Sequence, residues 1–145
     1  MEKQITKELE VLIIEDDLYF NNLLAKRLNN LNQDPRINLH YQVRVRQVFD
    51  ADQYIDQADP SMEKDRQTIA FIDYFLGQGA TGVELSEKLL ALNDQVKIVI
   101  MSQSEEMINK LRNAKPRNNM YTSIVKYEHT PDICCIIVEN YLKNL

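Results

Sequence analysis

An acidic run at Glu15, Asp16 and Asp17, a lone aspartate at Asp73, a hydroxyl at Ser102 and an ammonium at Lys126 each stand at or just past the end of an apolar run. The runs cover residues 11–14, 69–72, 98–101 and 123–125 and have the length of strands. Crowded carboxylates repel one another unless a cation or a proton intervenes. A ligand set made only of oxygen suits Mg²⁺, which completes its octahedron with water and phosphate oxygens. The residue types therefore point to a Mg²⁺-dependent phosphate-handling site, provided that the fold brings the strand ends to one place.

An open parallel α/β sheet does so, because the carboxyl ends of its strands line one crevice at the topological switch point. Along the chain, apolar runs of strand length alternate with amphipathic runs of helix length, which is the pattern of βαβ units. Strands are expected at residues 9–14, 39–45, 68–72, 96–101 and 121–125. The second carries Arg44 and Arg46 and belongs near an edge, whereas the third is apolar almost throughout and belongs at the centre. Asp17 caps a first helix in which Phe20, Leu24, Leu28 and Leu31 form one buried stripe, ended by Asp34-Pro35. Asp50 caps a short helix reaching to about residue 58, and a polar stretch follows to residue 67. Thr81, Gly82, Val83 and Glu84 have the spacing of a capping box and open the next helix. Residues 104–113 form a polar helix, and Thr130-Pro131 supplies an N-cap and an N1 proline for the last one. Handedness of crossovers limits five such strands and five helices to doubly wound arrangements.

The composition agrees with a single domain over residues 1–145, its core beginning near residue 9. Hydrophobic residues at 44% and charged residues at 27% describe a soluble globular protein rather than a disordered or membrane one. No apolar run approaches a bilayer span, and Met1-Glu2-Lys3-Gln4 lacks the apolar stretch of a signal peptide, so a cytoplasmic address is expected. A net charge of −5 argues against nucleic acid as a partner, and the basic cluster Lys110, Arg112, Lys115 and Arg117 reads as a solvated loop. Cys134 and Cys135 are neighbours in a helical run, point in different directions, and read as core filling rather than a disulfide. Neither His40 nor His129 sits at zinc-ligand spacing from a second His or Cys.

With these positions in place, the chain resembles the receiver domains of two-component response regulators over residues 11–142. The match rests on Glu15 with Asp16 after the first strand, Asp73 after the third, Ser102 after the fourth and Lys126 after the fifth. The surrounding strings VLIIEDD, GVEL and IVIMS agree as well. The resemblance implies a flavodoxin-like sheet in the order 2-1-3-4-5. It also implies that Asp73 accepts a phosphoryl group from a phosphohistidine on a histidine kinase or a histidine phosphotransfer protein. Asp16, Asp73 and the backbone carbonyl of Phe75 would hold Mg²⁺, with Glu15 acting through water. Lys126 would neutralise the phosphoryl group and Ser102 would hydrogen-bond it, while Asp17 stays a helix cap. Signalling would proceed by contact with a downstream protein, as a monomer or weak dimer, without nucleic acid or membrane. Because the chain stops after the fifth helix, a stand-alone receiver is the expectation.

Several positions depart from the family pattern. Gly77 replaces a common proline, and Gly77, Gly79 and Gly82 sit in one loop after Asp73 that is one residue longer than usual, so this loop is expected to be mobile. Tyr127 replaces a proline after Lys126, which is expected to reach the site differently. Ser123 stands where receivers commonly carry the Tyr or Phe that changes rotamer on activation, and Gln103 is larger than the usual residue beside Ser102. The alternative these departures favour is a degenerate receiver that binds partners without phosphorylation. A haloacid dehalogenase-type phosphatase needs an acid two residues after its nucleophile, where this chain has Phe75. A flavodoxin-like FMN carrier is disfavoured because its phosphate would meet Glu15, Asp16 and Asp17.

Overall fold

The strands pair in the order β2-β1-β3-β4-β5, all parallel. They are β1 (Lys7–Ile14), β2 (Tyr41–Val48), β3 (Thr68–Asp73), β4 (Lys97–Ser102) and β5 (Tyr121–Val125). The helices are α1 (Leu18–Asn29), the single turn α2 (Pro35–Asn38), α3 (Gly82–Leu92), α4 (Glu105–Asn113) and α5 (Thr130–Lys143). The computed structural model describes residues 7–51, 67–77, 81–113 and 121–145. The helix expected after Asp50, and Lys115 and Arg117, lie largely or wholly outside these residues.

Burial on both faces explains the apolar strands. Residues 9, 11 and 13 of β1, 69 and 71 of β3, and 99 and 101 of β4 pack with Leu24, Leu28, Cys134, Val138 and Leu142 of α1 and α5. The alternate residues Leu12, Ile14, Ala70, Ile72, Ile98 and Ile100 pack with Leu85 and Leu89 of α3. This is the period-two division expected of a sheet sandwiched between helical layers. β3 is fully buried at the centre, and β2 is an edge on which Arg44 pairs with Glu8 at 3.4 Å.

Register decides where the strand ends fall. Ile14 is level with Ile72, so Glu15 follows β1 beside Asp73. Asp73 is level with Met101, one residue before Ser102, and Ser102 is level with Val125, one residue before Lys126.

Ends shift by one or two residues at β1, β3 and β4, and the larger differences have local causes. The first helix ends at Asn29 and tightens into a 3-10 turn, Asn30–Gln33, before Asp34 caps α2 by accepting the Arg36 N–H at 2.9 Å. That extra turn consumes Leu39 and His40, so β2 starts at Tyr41 and runs on to Val48, where its carbonyl accepts the Glu15 N–H at 3.1 Å. Thr130 lies inside α5 instead of capping it; its hydroxyl is used on the preceding turn, and the cap residue is His129. Two caps agree with the reading: Asp17 accepts the Phe20 N–H at 3.1 Å and Thr81 accepts the Glu84 N–H at 3.3 Å. Both cysteines are free, Cys134 buried and Cys135 half-buried. Among the described residues, no helix is long and apolar enough to cross a membrane.

Candidate functional site

Glu15 is the most enclosed acid of the cluster, at 1% exposure, because it leaves β1 between two neighbouring strand ends. Asn21 of α1 secures that exit: its side-chain amide donates to the Glu15 carbonyl at 2.9 Å and to the Val48 carbonyl at 3.2 Å, and its oxygen accepts from Gln47 at 3.1 Å. Asp16, one residue on, turns outward and is exposed.

Asp73 ends β3 and is fixed from behind. The N–H of Tyr74 donates to the Met101 carbonyl at 2.7 Å, and the N–H of Gly82 returns to the Tyr74 carbonyl at 2.8 Å. This return brings α3 so close that a Cβ at Gly82 would stand 2.6 Å from the Asp73 carbonyl oxygen. Gly77, at φ +78°, takes the left-handed conformation that its absent side chain permits. Residues 78–80, the middle of the loop read as mobile, lie outside the described residues.

Ser102 is buried, its hydroxyl accepting the Ser104 N–H at 3.1 Å and its carbonyl accepting the Lys126 N–H at 2.7 Å. The turn after Lys126 is closed by Thr130, whose hydroxyl donates to the Val125 carbonyl at 3.1 Å and accepts the Tyr127 N–H at 2.7 Å. A proline at position 127 would have no N–H for this bond, so the departure at Tyr127 is matched by a hydroxyl that holds the turn. The Lys126 ammonium forms an ion pair with Glu15 Oε1 and stands 4.0 Å from Asp73 Oδ1. It also lies over the Phe20 ring, 4.5 Å from the centroid, a contact that the helical stripe of the sequence gives no hint of because the same periodicity serves core packing.

An open cleft of about 520 Å³ collects Asp16, Asp73, Phe75, Ser102, Gln103 and Lys126. Burial pushes the Glu15 carboxyl up to about 8 despite the Lys126 hydrogen bond, and burial raises Asp73 as well, against the pull of Lys126. Ligand oxygens of Glu15, Asp16 and Asp73 lie within 4.8 Å of one another, and buried Glu15 Oε2 makes no hydrogen bond in the protein. The Lys126 ammonium thus stands beside two of the cluster's three carboxylates, Glu15 and Asp73. This all-oxygen set fits a hard divalent cation such as Mg²⁺.

No family model matches the chain, and no curated protein matches its sequence. Solved structures do match. DrrB from Thermotoga maritima, an OmpR/PhoB homologue, superposes with a TM-score of 0.64 at 13% identity, covering 97% of this chain. The chain spans about half of DrrB, 54% of its length. The BeF₃-activated DrrB receiver domain gives 0.62 at 14% identity, covering 96% of this chain and 99% of that one. The fold is that of a receiver domain. A response regulator from Burkholderia pseudomallei, solved with a phosphorylated aspartic acid and a calcium ion, shares this receiver fold with a TM-score of 0.57 at 17% identity, covering 96% of this chain and 75% of that one.

Proposed function

We propose that the chain is the phosphoacceptor domain of a two-component phosphorelay, acting in the cytoplasm on Asp73. The observation that carries this reading is the meeting of Asp73, Lys126, Ser102 and the Glu15–Asp16 pair around one cleft, although they come from four strand ends far apart in sequence. Core packing gives no reason for such a gathering.

An Asp73 carboxylate oxygen attacks the phosphorus of a phosphohistidine on a histidine kinase or a histidine phosphotransfer protein. The new O–P bond forms as the N–P bond breaks, and the imidazole leaves with the electron pair. Such transfer passes through a loose transition state with charge on the equatorial oxygens, so positioning and neutralisation are what the protein contributes. Lys126 brings its ammonium from Glu15 toward the phosphoryl oxygens, a short movement given its 4.0 Å distance to Asp73. The Ser102 hydroxyl donates to a phosphoryl oxygen. Asp16, Asp73 and the Phe75 carbonyl would hold Mg²⁺, with Glu15 acting through water, and the ion would supply further charge neutralisation. The domain assists its own phosphorylation and dephosphorylation and passes the signal to a downstream protein, rather than turning over a separate substrate. The receiver fold and the phosphorylated aspartic acid of the Burkholderia protein support this reading.

A second reading, a receiver that binds partners without phosphorylation, is favoured by Ser123, which is buried and has no ring to report a change at Ser102. Acetyl phosphate with Mg²⁺ separates the two. The first reading expects one hydroxylamine-sensitive phosphoryl adduct by intact mass, absent in Asp73→Asn; an unlabelled wild-type protein favours the second.

A further inference from the structure

The Lys126 ammonium is held on two sides. Glu15 pairs with it, and the Phe20 ring lies beneath it at 4.5 Å from the centroid. We propose that Phe20 is a positioning residue for Lys126: its ring face seats the ammonium beside Asp73 and keeps it there when Glu15 is drawn toward a bound cation.

The inference rests on the phosphoacceptor reading above and deepens it. Phe20 is itself fixed, since its N–H is the one that Asp17 caps and its side chain is buried in the cluster beneath β1 and β3. The third acid of the acidic run therefore sets the backbone of the residue on which the lysine rests. The Lys126 side chain is only 8% exposed. A cation–π contact strengthens severalfold once the cation is taken out of water, so this ammonium lies in the range where the ring matters.

The choice of a ring has a physical rationale. A further carboxylate would hold the ammonium more strongly, but its charge would repel an incoming phosphoryl group. An aromatic face attracts a cation while carrying no net charge. Glu15 cannot serve both Lys126 and a divalent cation at full strength. The ring gives the ammonium a support that does not weaken when the carboxylate is shared.

The test places Leu, Tyr or a trifluorinated phenylalanine at position 20 and measures acetyl phosphate labelling with Mg²⁺, along with the NMR shifts of the Lys126 ε-methylene protons. In the wild type those protons should be shifted upfield by the ring. Phe20→Leu should lose that shift and label about thirtyfold more slowly at saturating acetyl phosphate with an unchanged KM, the size expected of a desolvated cation–π contact. Phe20→Tyr should keep the shift and label within about twofold of wild type, because its ring face is retained. The trifluorinated ring, equal in shape but poorer in π charge, should keep the shift and still slow labelling by about threefold or more. Equal rates in the wild-type and trifluorinated proteins overturn the inference while leaving Asp73 as the phosphoacceptor, as does a wild-type protein without the upfield shift. A wild-type protein that takes no label overturns the phosphoacceptor reading itself. Should Phe20→Leu fail to fold, the trifluorinated protein and the wild-type shift decide alone.

Discussion

The floor and the rim of the cleft are built on different terms. On the floor, Glu15, Asp73 and Ser102 are buried and tied by backbone hydrogen bonds to neighbouring strands, with Asn21, Gly82 and Thr130 bracing them from helices. At the rim Phe75 is exposed, and so are Leu18, Tyr19 and Tyr127, which follow the acidic run and Lys126 in sequence. Apolar side chains left in water contribute little to folding, so the floor is set by stability and chemistry while the rim is free to vary. The contrast teaches that the charge-handling part of this site is a property of the sheet, and that its surroundings are a property of the loops.

Breaking the floor should have the larger effects. Lys126→Met leaves Glu15 and Asp73 without their shared cation, and removing one partner of a buried pair costs about 3 kcal/mol or more. Urea denaturation without metal should show this loss, and added Mg²⁺ should recover part of it. In the wild type, Mg²⁺ should raise the melting temperature by the equivalent of about 2.7 kcal/mol at a hundredfold excess over Kd. Asp16→Ala should erase that rise; a full rise in the variant would remove Asp16 from the ligand set. Gly82→Ala forces a methyl into the 2.6 Å space before the Asp73 carbonyl, so a loss of about 1–3 kcal/mol is expected by denaturation, with slower labelling because Asp73 is displaced. At the rim, Tyr127→Ala should change stability by less than about 0.5 kcal/mol and leave acetyl phosphate labelling near the wild-type rate, its backbone N–H still serving Thr130. A large loss there would abolish the distinction between floor and rim.

The gathering of Glu15, Asp16, Asp73, Ser102 and Lys126 was legible because each stands at or just past the end of an apolar run, and strand ends in a parallel sheet share one edge, whereas the strand order followed from the resemblance to receivers. The extra turn at α2 was hidden, since Asp34-Pro35 signals the end of one helix and the cap of another equally well. Thr130 misled for a related reason: a threonine before proline fits an N-cap, yet the chain uses its hydroxyl to close the turn of Lys126. The pairing of Lys126 with Glu15 and Phe20 depends on which rotamer a long side chain takes across the sheet, and no local spacing encodes that.

Asn21 does not line the cleft, yet it holds together the backbone on which the acidic run is mounted. Its amide satisfies two carbonyls, those of Glu15 and Val48, and accepts a third bond from Gln47, all within a buried space. Aspartate would set a charge against both carbonyls, leucine would take this donor from the Glu15 carbonyl and leave Val48 only the Glu15 N–H, and glutamine is one carbon too long for the same reach. A position of no direct chemistry thus fixes where the acidic run leaves the sheet, by tying the exit of β1 to the end of β2.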